Sequence, residues 1–162
     1  MAGRFSVAPL DPGADRSGFD CGVEPLDRYF KTQVSQDIKR RVTACFTALD
    51  GSGRVAGYYT LASASILLTD LPENLAKKLP RYPNVPAVRM GRLAVDQSYK
   101  GKGLGAALLA DALRRAATAE IAAYAFVVDA KDMAAADFYA HHGFRATTGK
   151  PLFLYQIGRA HV

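Results

Sequence analysis

The 162-residue sequence has no tryptophan, two cysteines and three histidines. Cys21 and Cys45 stand in no C-x-x-C pattern, which supports neither a zinc site nor a disulfide framework. Both are expected to be unreactive, half-buried thiols, and no metal is expected. No apolar stretch reaches the roughly 18 residues that span a bilayer. The opening MAGRFSVAPLD lacks the basic, apolar and small-residue blocks of a signal peptide, so no membrane association and a cytoplasmic location are expected. No internal repeat or low-complexity linker interrupts the chain. At 49% apolar and 22% charged residues, it reads as one soluble globular domain with a sizeable core.

Acidic residues are the scarcer sign of charge, 15 against 21 basic ones, for a formal net charge of +6. The excess is concentrated. Between Lys77 and Lys102 stand Lys77, Lys78, Arg81, Arg89, Arg92, Lys100 and Lys102, with Asp96 as the single acid. Arg28, Lys31, Lys39, Arg40 and Arg41 form a second cluster. Such clusters are either solvated faces or the footprint of a polyanionic partner, a nucleic acid or a phosphate-rich cofactor.

Periodicity places a first strand in RFSVAPL. A helix follows over VEPLDRYFKTQVSQDIKRR, where Leu26, Phe30, Val34 and Ile38 recur at helical spacing. TACFTALD and RVAGYYTLASASI flank Asp50-Gly51-Ser52-Gly53, a hairpin signal. A short helix in LPENLAKKLP, a strand in VPAVRMGRLAVD, and a helix from Leu104 to about Ala119 come next. The strand AYAFVVDA, the short helix MAAADFYAHHG ended by Gly143, and a last strand PLFLYQ complete the chain. Strands that pair locally and also alternate with helices define a mixed α/β (α+β) sheet domain.

The segment YKGKGLGAALL joins a strand to a helix, where unpaired N–H groups and the positive end of the helix dipole favour an anion. Glycine at 101, 103 and 105 would let a pyrophosphate approach the backbone, and Lys100 and Lys102 add charge. A P-loop is excluded because no Gly-Lys-Ser/Thr follows at the required spacing. A dinucleotide loop fits Gly101, Gly103 and Ala106 in relaxed form, but the polar stretch Asp96 to Lys100 and the hairpins upstream oppose it. Acyl-coenzyme A is the third option. Lys100-Gly101-Lys102-Gly103-Leu104-Gly105 resembles the Q/R-x-x-G-x-G/A motif of the GNAT acetyltransferases, with lysine at the first position. RLAVD resembles that family's pantetheine-pairing strand, and AAADFYAHHGF resembles its late helix ending in a tyrosine. The resemblance spans residues 4 to 156.

It implies a single GNAT-like domain over 1–156. The implied fold is a mixed, mostly antiparallel twisted sheet, splayed between the fourth and fifth strands and flanked by about four helices. It implies acetyl-CoA as cosubstrate, bound by Leu93, Ala94, Val95, Lys100, Gly101, Lys102, Gly103, Leu104, Gly105, Ala106 and Phe138. The N–H groups near Ala94 and Val95 would meet the thioester oxygen, and Tyr139 would give a proton to the departing thiolate. The plain alternative for Tyr139 is a core tyrosine beside Phe138 and Phe144. No general base declares itself. Asp129, Asp132 and Asp137 read as solvated acids, and His141 and His142 receive no role.

Without a base, a weakly basic acceptor is favoured: a lysine amine titrates near ~10.4, an α-amine near ~7.7–8.0. Basic residues around the cofactor motif also disfavour a polycationic acceptor. Aminoacyl-tRNA satisfies both conditions, its phosphates held by lysine and arginine. FDCGVEPLDRYFKTQVSQD further resembles the start of the TacT-type GNAT toxins of type II toxin–antitoxin modules. That resemblance implies acetylation of the α-amine of charged tRNA, a block of translation, a homodimer, and a cognate antitoxin with a ribbon-helix-helix part. Arg28, Lys31, Lys77, Lys78, Arg89 and Arg92 are the implied tRNA contacts. Acetylation of protein amines or a small-molecule amine, and a non-catalytic RNA-binding module, are the alternatives. IGRAHV, residues 157–162, matches one reading frame of a widely used sequencing adapter and is expected to be a non-native extension.

Overall fold

The computed structural model describes residues 5–157; the expectation for residues 158–162 lies outside them. The elements run β1 (Ser6–Pro9), α1 (Glu24–Thr32), α2 (Val34–Lys39), β2 (Ala44–Leu49), β3 (Val55–Leu67), α3 (Glu73–Ala76), β4 (Asn84–Val95), α4 (Leu104–Thr118), β5 (Ala125–Asp129), α5 (Met133–His141), β6 (Arg145–Thr147) and β7 (Lys150–Ile157). Short 3-10 turns stand at Leu68–Asp70 and Gln97–Tyr99. The sheet order is β1-β2-β3-β4-β5-β7-β6, antiparallel except for the parallel pair β4–β5. That parallel pairing runs from Ala87 opposite Ala125 to Met90 opposite Val128, whereas β4 continues to Val95. The pairing between the fourth and fifth strands therefore ends at Met90.

Two compact units divide the chain: residues up to Ala62 with Gly91–Ala112, and Ser63–Met90 with Leu113 onward. The first is built on aromatics. Phe30 stacks on Tyr58 at 4.3 Å between centroids, and Phe19 meets both rings edge-on. Phe30 and Tyr58 are wholly buried, a contribution of about 2 kcal/mol each. The Tyr58 hydroxyl donates to the Leu26 carbonyl at 2.7 Å, so its polar end is satisfied. Cys21 and Cys45 lie in this core, more deeply buried than expected. Burial pushes the Cys21 thiol up to about 11 and the Cys45 thiol to about 12, so both stay protonated and inert.

The second unit packs Ile66, Leu71, Val85, Ala87, Ala125, Val127 and Tyr155 on one face of β4, β5 and β7. Ile157 ends β7 in register with Ala125. Among the described residues no helix is long and apolar enough to cross a membrane.

Two elements differ from the expected ones. The first long helix is two, broken at Gln33 (φ −121°), which raises the α-helix count among the described residues to five. Arg16 causes the break: its guanidinium donates to the Phe30 carbonyl at 2.9 Å and to the Ser35 hydroxyl at 3.1 Å. A side chain inserted there takes an acceptor from the helical ladder. The other is β6, an edge strand too short to show a period, turned onto β7 through Gly149 at φ +75°.

Gly57 on β3 sets how close α4 can lie. A Cβ there would stand 2.8 Å from Leu108 Cδ1 and 2.9 Å from the Ala94 carbonyl oxygen. Gly57→Ala is therefore expected to cost about 1–3 kcal/mol by overpacking, read as a lower urea midpoint at unchanged m-value. An unchanged midpoint would refute the close contact.

Candidate active site

The path from β4 to α4 hangs on one buried carboxylate. Asp96, 2% exposed, accepts N–H groups from Ser98 at 2.9 Å and Asp20 at 3.0 Å and pairs with Arg54 at 3.5 Å. Gln97 returns an N–H to the Asp20 carbonyl at 2.9 Å. Burial alone would raise the Asp96 pKa, but these donors outweigh it and hold the carboxyl below its ordinary range. The N–H of Asp96 goes to the Ala56 carbonyl on β3 at 2.8 Å. Because N–H groups alternate along an extended strand, that of Val95 faces the edge away from β3. Leu93 and Val95 are half-buried and Ala94 is buried.

The glycine turn follows. Gly101 and Gly103 adopt φ +78° and +80°, conformations that suit glycine, and a Cβ on either would meet nothing within 4 Å. Their absence of side chains thus bends the chain and leaves the space above it open. Gly105 and Ala106 belong to the first turn of α4, whose Leu104 is buried beneath. The first N–H groups of this 15-residue helix have no intrahelical partner and converge with the dipole on an anion site.

The two lysines divide. Lys100 donates its ammonium to the Cys21 carbonyl at 2.6 Å, tying the turn to the segment before α1 rather than offering its charge to a ligand. Lys102 remains exposed, 5.9 Å from the centre of the Tyr99 ring. The Tyr99 hydroxyl donates to Asp50, whose carboxyl that bond and its neighbours hold well below the usual range. A pyrophosphate at this turn would meet helix N–H groups and Lys102.

Tyr139 lies on α5, which Asp132 caps by accepting the Ala135 N–H at 2.8 Å. The Tyr139 carbonyl closes the helix, accepting N–H groups from His142 and Phe144. Its ring, 7% exposed, lies 5.3 Å from Phe138 and 5.6 Å from Phe144. Among the described residues no group hydrogen-bonds its hydroxyl. Burial pushes its pKa up to about 12, so it remains a neutral donor throughout the physiological range. Phe138 is half-buried between Tyr139 and His142.

Of the basic residues expected to meet tRNA, three are engaged within the protein. Arg28 pairs with Glu24 one helical turn away, Arg89 pairs with Asp129, and the Arg92 guanidinium lies 3.4 Å over the centre of the Tyr29 ring. Lys31, Lys77 and Lys78 are exposed. Gly57 and Arg16 escaped sequence reasoning because their partners are distant in the chain. Asp96 was visible as the single acid of the basic stretch and as part of a polar segment, without its partners Asp20 and Arg54. No group of three histidine, cysteine or acidic side chains among the described residues is placed to hold a metal.

A glycine-bent turn feeding a helix N-terminus suits a phosphate-rich cofactor such as an acyl-CoA, and a neutral buried tyrosine on a later helix is a proton donor. In agreement, residues 75–153 match the acetyltransferase (GNAT) domain family. A tRNA-acetylating toxin of Mycobacterium tuberculosis is 33% identical over 156 residues, covering 95% of this chain and 92% of that protein. The chain belongs to the GNAT acetyltransferases of the tRNA-acetylating toxin type. Among solved structures, AtaT complexed with acetyl-methionyl-tRNAfMet superposes with a TM-score of 0.88 at 30% identity over 94% of each chain. A tyrosine-to-phenylalanine mutant of AtaT, bound to the C-terminus of the antitoxin AtaR and to acetyl-CoA, superposes with a TM-score of 0.79. It is 25% identical over 95% of this chain and 93% of that one.

The Asp96 carboxylate has a depressed folded-state pKa, so its stabilisation is present above the unfolded value near ~3.9 and lost as pH falls through the folded value. Asp96→Asn sets an amide against the donors and is expected to cost about 1–3 kcal/mol at neutral pH. Its stability should also decline less steeply than that of wild type below pH ~4. Parallel denaturation curves of the two proteins across that range would overturn the assignment.

Proposed function

We propose that this protein transfers the acetyl group of acetyl-CoA to the α-amine of aminoacyl-tRNA and thereby arrests translation as the toxin of a toxin–antitoxin pair. The observation that carries this reading is the likeness, over nearly the whole chain, to AtaT in complex with acetyl-methionyl-tRNA. The site supports it chemically. N–H groups at the start of α4, with Lys102, would hold the pyrophosphate. The Val95 N–H would meet the thioester oxygen, where one such donor is worth about 2.7–4 kcal/mol of barrier. Tyr139, uncharged and largely shielded from water, would donate to the sulfur as it becomes a thiolate. Exposed Lys31, Lys77 and Lys78 would take backbone phosphates without reading sequence.

The same family reading assigns a cytoplasmic homodimer neutralised by a cognate ribbon-helix-helix antitoxin. AtaT bound to the C-terminus of AtaR supports the antitoxin part. Translation in vitro, with acetyl-CoA present or omitted, tests the activity directly. Arrest is expected only with acetyl-CoA, and mass analysis should find N-acetylated aminoacyl groups on the tRNA. Arrest without such groups would defeat the reading. Tyr139→Phe should fold normally and lose on the order of 10²-fold or more in acetylation rate; turnover near wild type would remove Tyr139 from the mechanism.

A further inference from the structure

We propose that Asp129 accepts the proton of the acceptor amine and that Arg89 is its positioning residue rather than a phosphate contact; the proposal rests on the acetyltransferase reading above.

Asp129 stands one residue beyond the last parallel pair of β4 and β5, Met90 opposite Val128, where the two strands cease to bond. Its backbone is nevertheless fixed, because β7 continues to pair with it through Phe153. The carboxylate thus sits on an ordered strand end where the β4–β5 pairing stops, with its side chain 45% exposed.

Side chains alternate across β5. Ala125 and Val127 belong to the core face shared with Val85, Ala87 and Tyr155, and Asp129 continues that face. Phe126 and Val128 occupy the other. The Phe126 ring meets Phe144 at 5.9 Å, and Phe144 meets Tyr139 at 5.6 Å, so Tyr139 serves the Phe126 face. The carboxylate and the phenol flank β5 from opposite sides. That arrangement lets one group take the proton that leaves the entering nitrogen while another gives one to the departing sulfur.

Arg89 lies on β4 opposite Val127, on the same face as Asp129, and its guanidinium pairs with the Asp129 carboxylate. An exposed arginine held by a carboxylate has part of its charge answered within the protein. What it does supply is a fixed orientation for that carboxylate. From β7, Phe153 faces Asp129, and the Lys150 ammonium lies 5.7 Å from the Phe153 ring centre while bonded to Asp70 at 3.0 Å. Arg89 is therefore the cation in direct contact with Asp129, and Lys150 is committed to another acid.

The step balances as follows. The amine nitrogen bonds to the acetyl carbon, and the carbon–sulfur bond breaks with its electron pair on sulfur. The nitrogen's proton passes to Asp129 and then to water. The thiolate takes a proton from Tyr139, which recovers one from solvent.

The test is single-turnover acetylation of methionyl-tRNA at pH 6.0 and 8.0 by wild type, Asp129→Asn, Asp129→Glu and Arg89→Gln, with acetyl-CoA binding and Tm confirming folding. Asp129→Asn is expected to lose about 100-fold at pH 6.0 and about 10-fold or less at pH 8.0, where most of the α-amine is already free. Asp129→Glu should keep a pH profile close to wild type. Arg89→Gln should lower the saturated rate about 10-fold without changing tRNA affinity or its salt dependence. Asp129→Asn within twofold of wild type at both pH values would overturn the proposal. So would an Arg89→Gln protein that binds tRNA more weakly, with a salt slope reduced by about one, yet turns over normally. If wild type acetylates no charged tRNA, the proposed substrate fails. The same two-pH comparison on the amine it does acetylate then decides the role of Asp129.

Discussion

The close approach of α4 to the sheet is the constraint on which the cofactor side of this protein depends. Gly57 makes it possible, because any Cβ there would collide with Leu108 and with the Ala94 carbonyl oxygen. With the helix seated, Leu104 and Leu108 are buried at 2% and 0% exposure, and the start of α4 is fixed relative to the end of β4. The stretch 96–103 must then bridge two ends that cannot move. It does so with little freedom. Asp96 accepts N–H groups from Ser98 in the turn and from Asp20 before α1, and Lys100 anchors the middle to the Cys21 carbonyl. Helix N–H groups bind an anion well only when they are already in place, and here buried contacts supply that preorganisation.

The same economy explains the basic stretch. Arg89, Arg92 and Lys100 each have a partner inside the protein, so they are structural cations as well as contributors to surface potential. The three differ in what remains of their charge. An aspartate cancels much of the field of Arg89. An aromatic face and a backbone carbonyl cancel none of the net charge of Arg92 or Lys100. Their positive potential still extends about a Debye length, roughly 8 Å at physiological salt. A charged partner would be steered by the whole stretch while touching only part of it.

Local signals were legible because the interactions behind them are local. The hairpin at Asp50 to Gly53 forms as expected: the Asp50 carboxylate accepts N–H groups from Ser52 and Arg54 at 2.9 Å each. The late helix ends where Gly143 can adopt φ +93°. The glycine turn is in place, with Gly101 and Gly103 at positive φ and open space above both. What could not be read depends on residues far apart in the chain. Arg16 breaks a helix from 14 positions away, and Gly57 matters only because Ala94 and Leu108 come to it. Lys100 looked like a ligand for phosphate until Cys21, 79 positions earlier, claimed it. Asp129 is exposed as a solvated acid should be; its pairing with Arg89, 40 positions earlier in the chain, could not be read from the sequence.

Burial of Tyr139 has two opposing effects, and their balance decides its chemistry. A phenol pushed up to about 12 is a poorer acid, so complete proton transfer to sulfur is harder than from an exposed tyrosine. The environment that raises its pKa also excludes water, and in such surroundings a neutral donor stabilises a developing negative charge more strongly than it could in solvent. Stabilisation can therefore precede transfer, with the proton moving only as the carbon–sulfur bond completes its break. It also means that Tyr139 does not titrate between pH 6 and 9. Any change in rate over that range must therefore come from a group other than Tyr139, such as the acceptor amine.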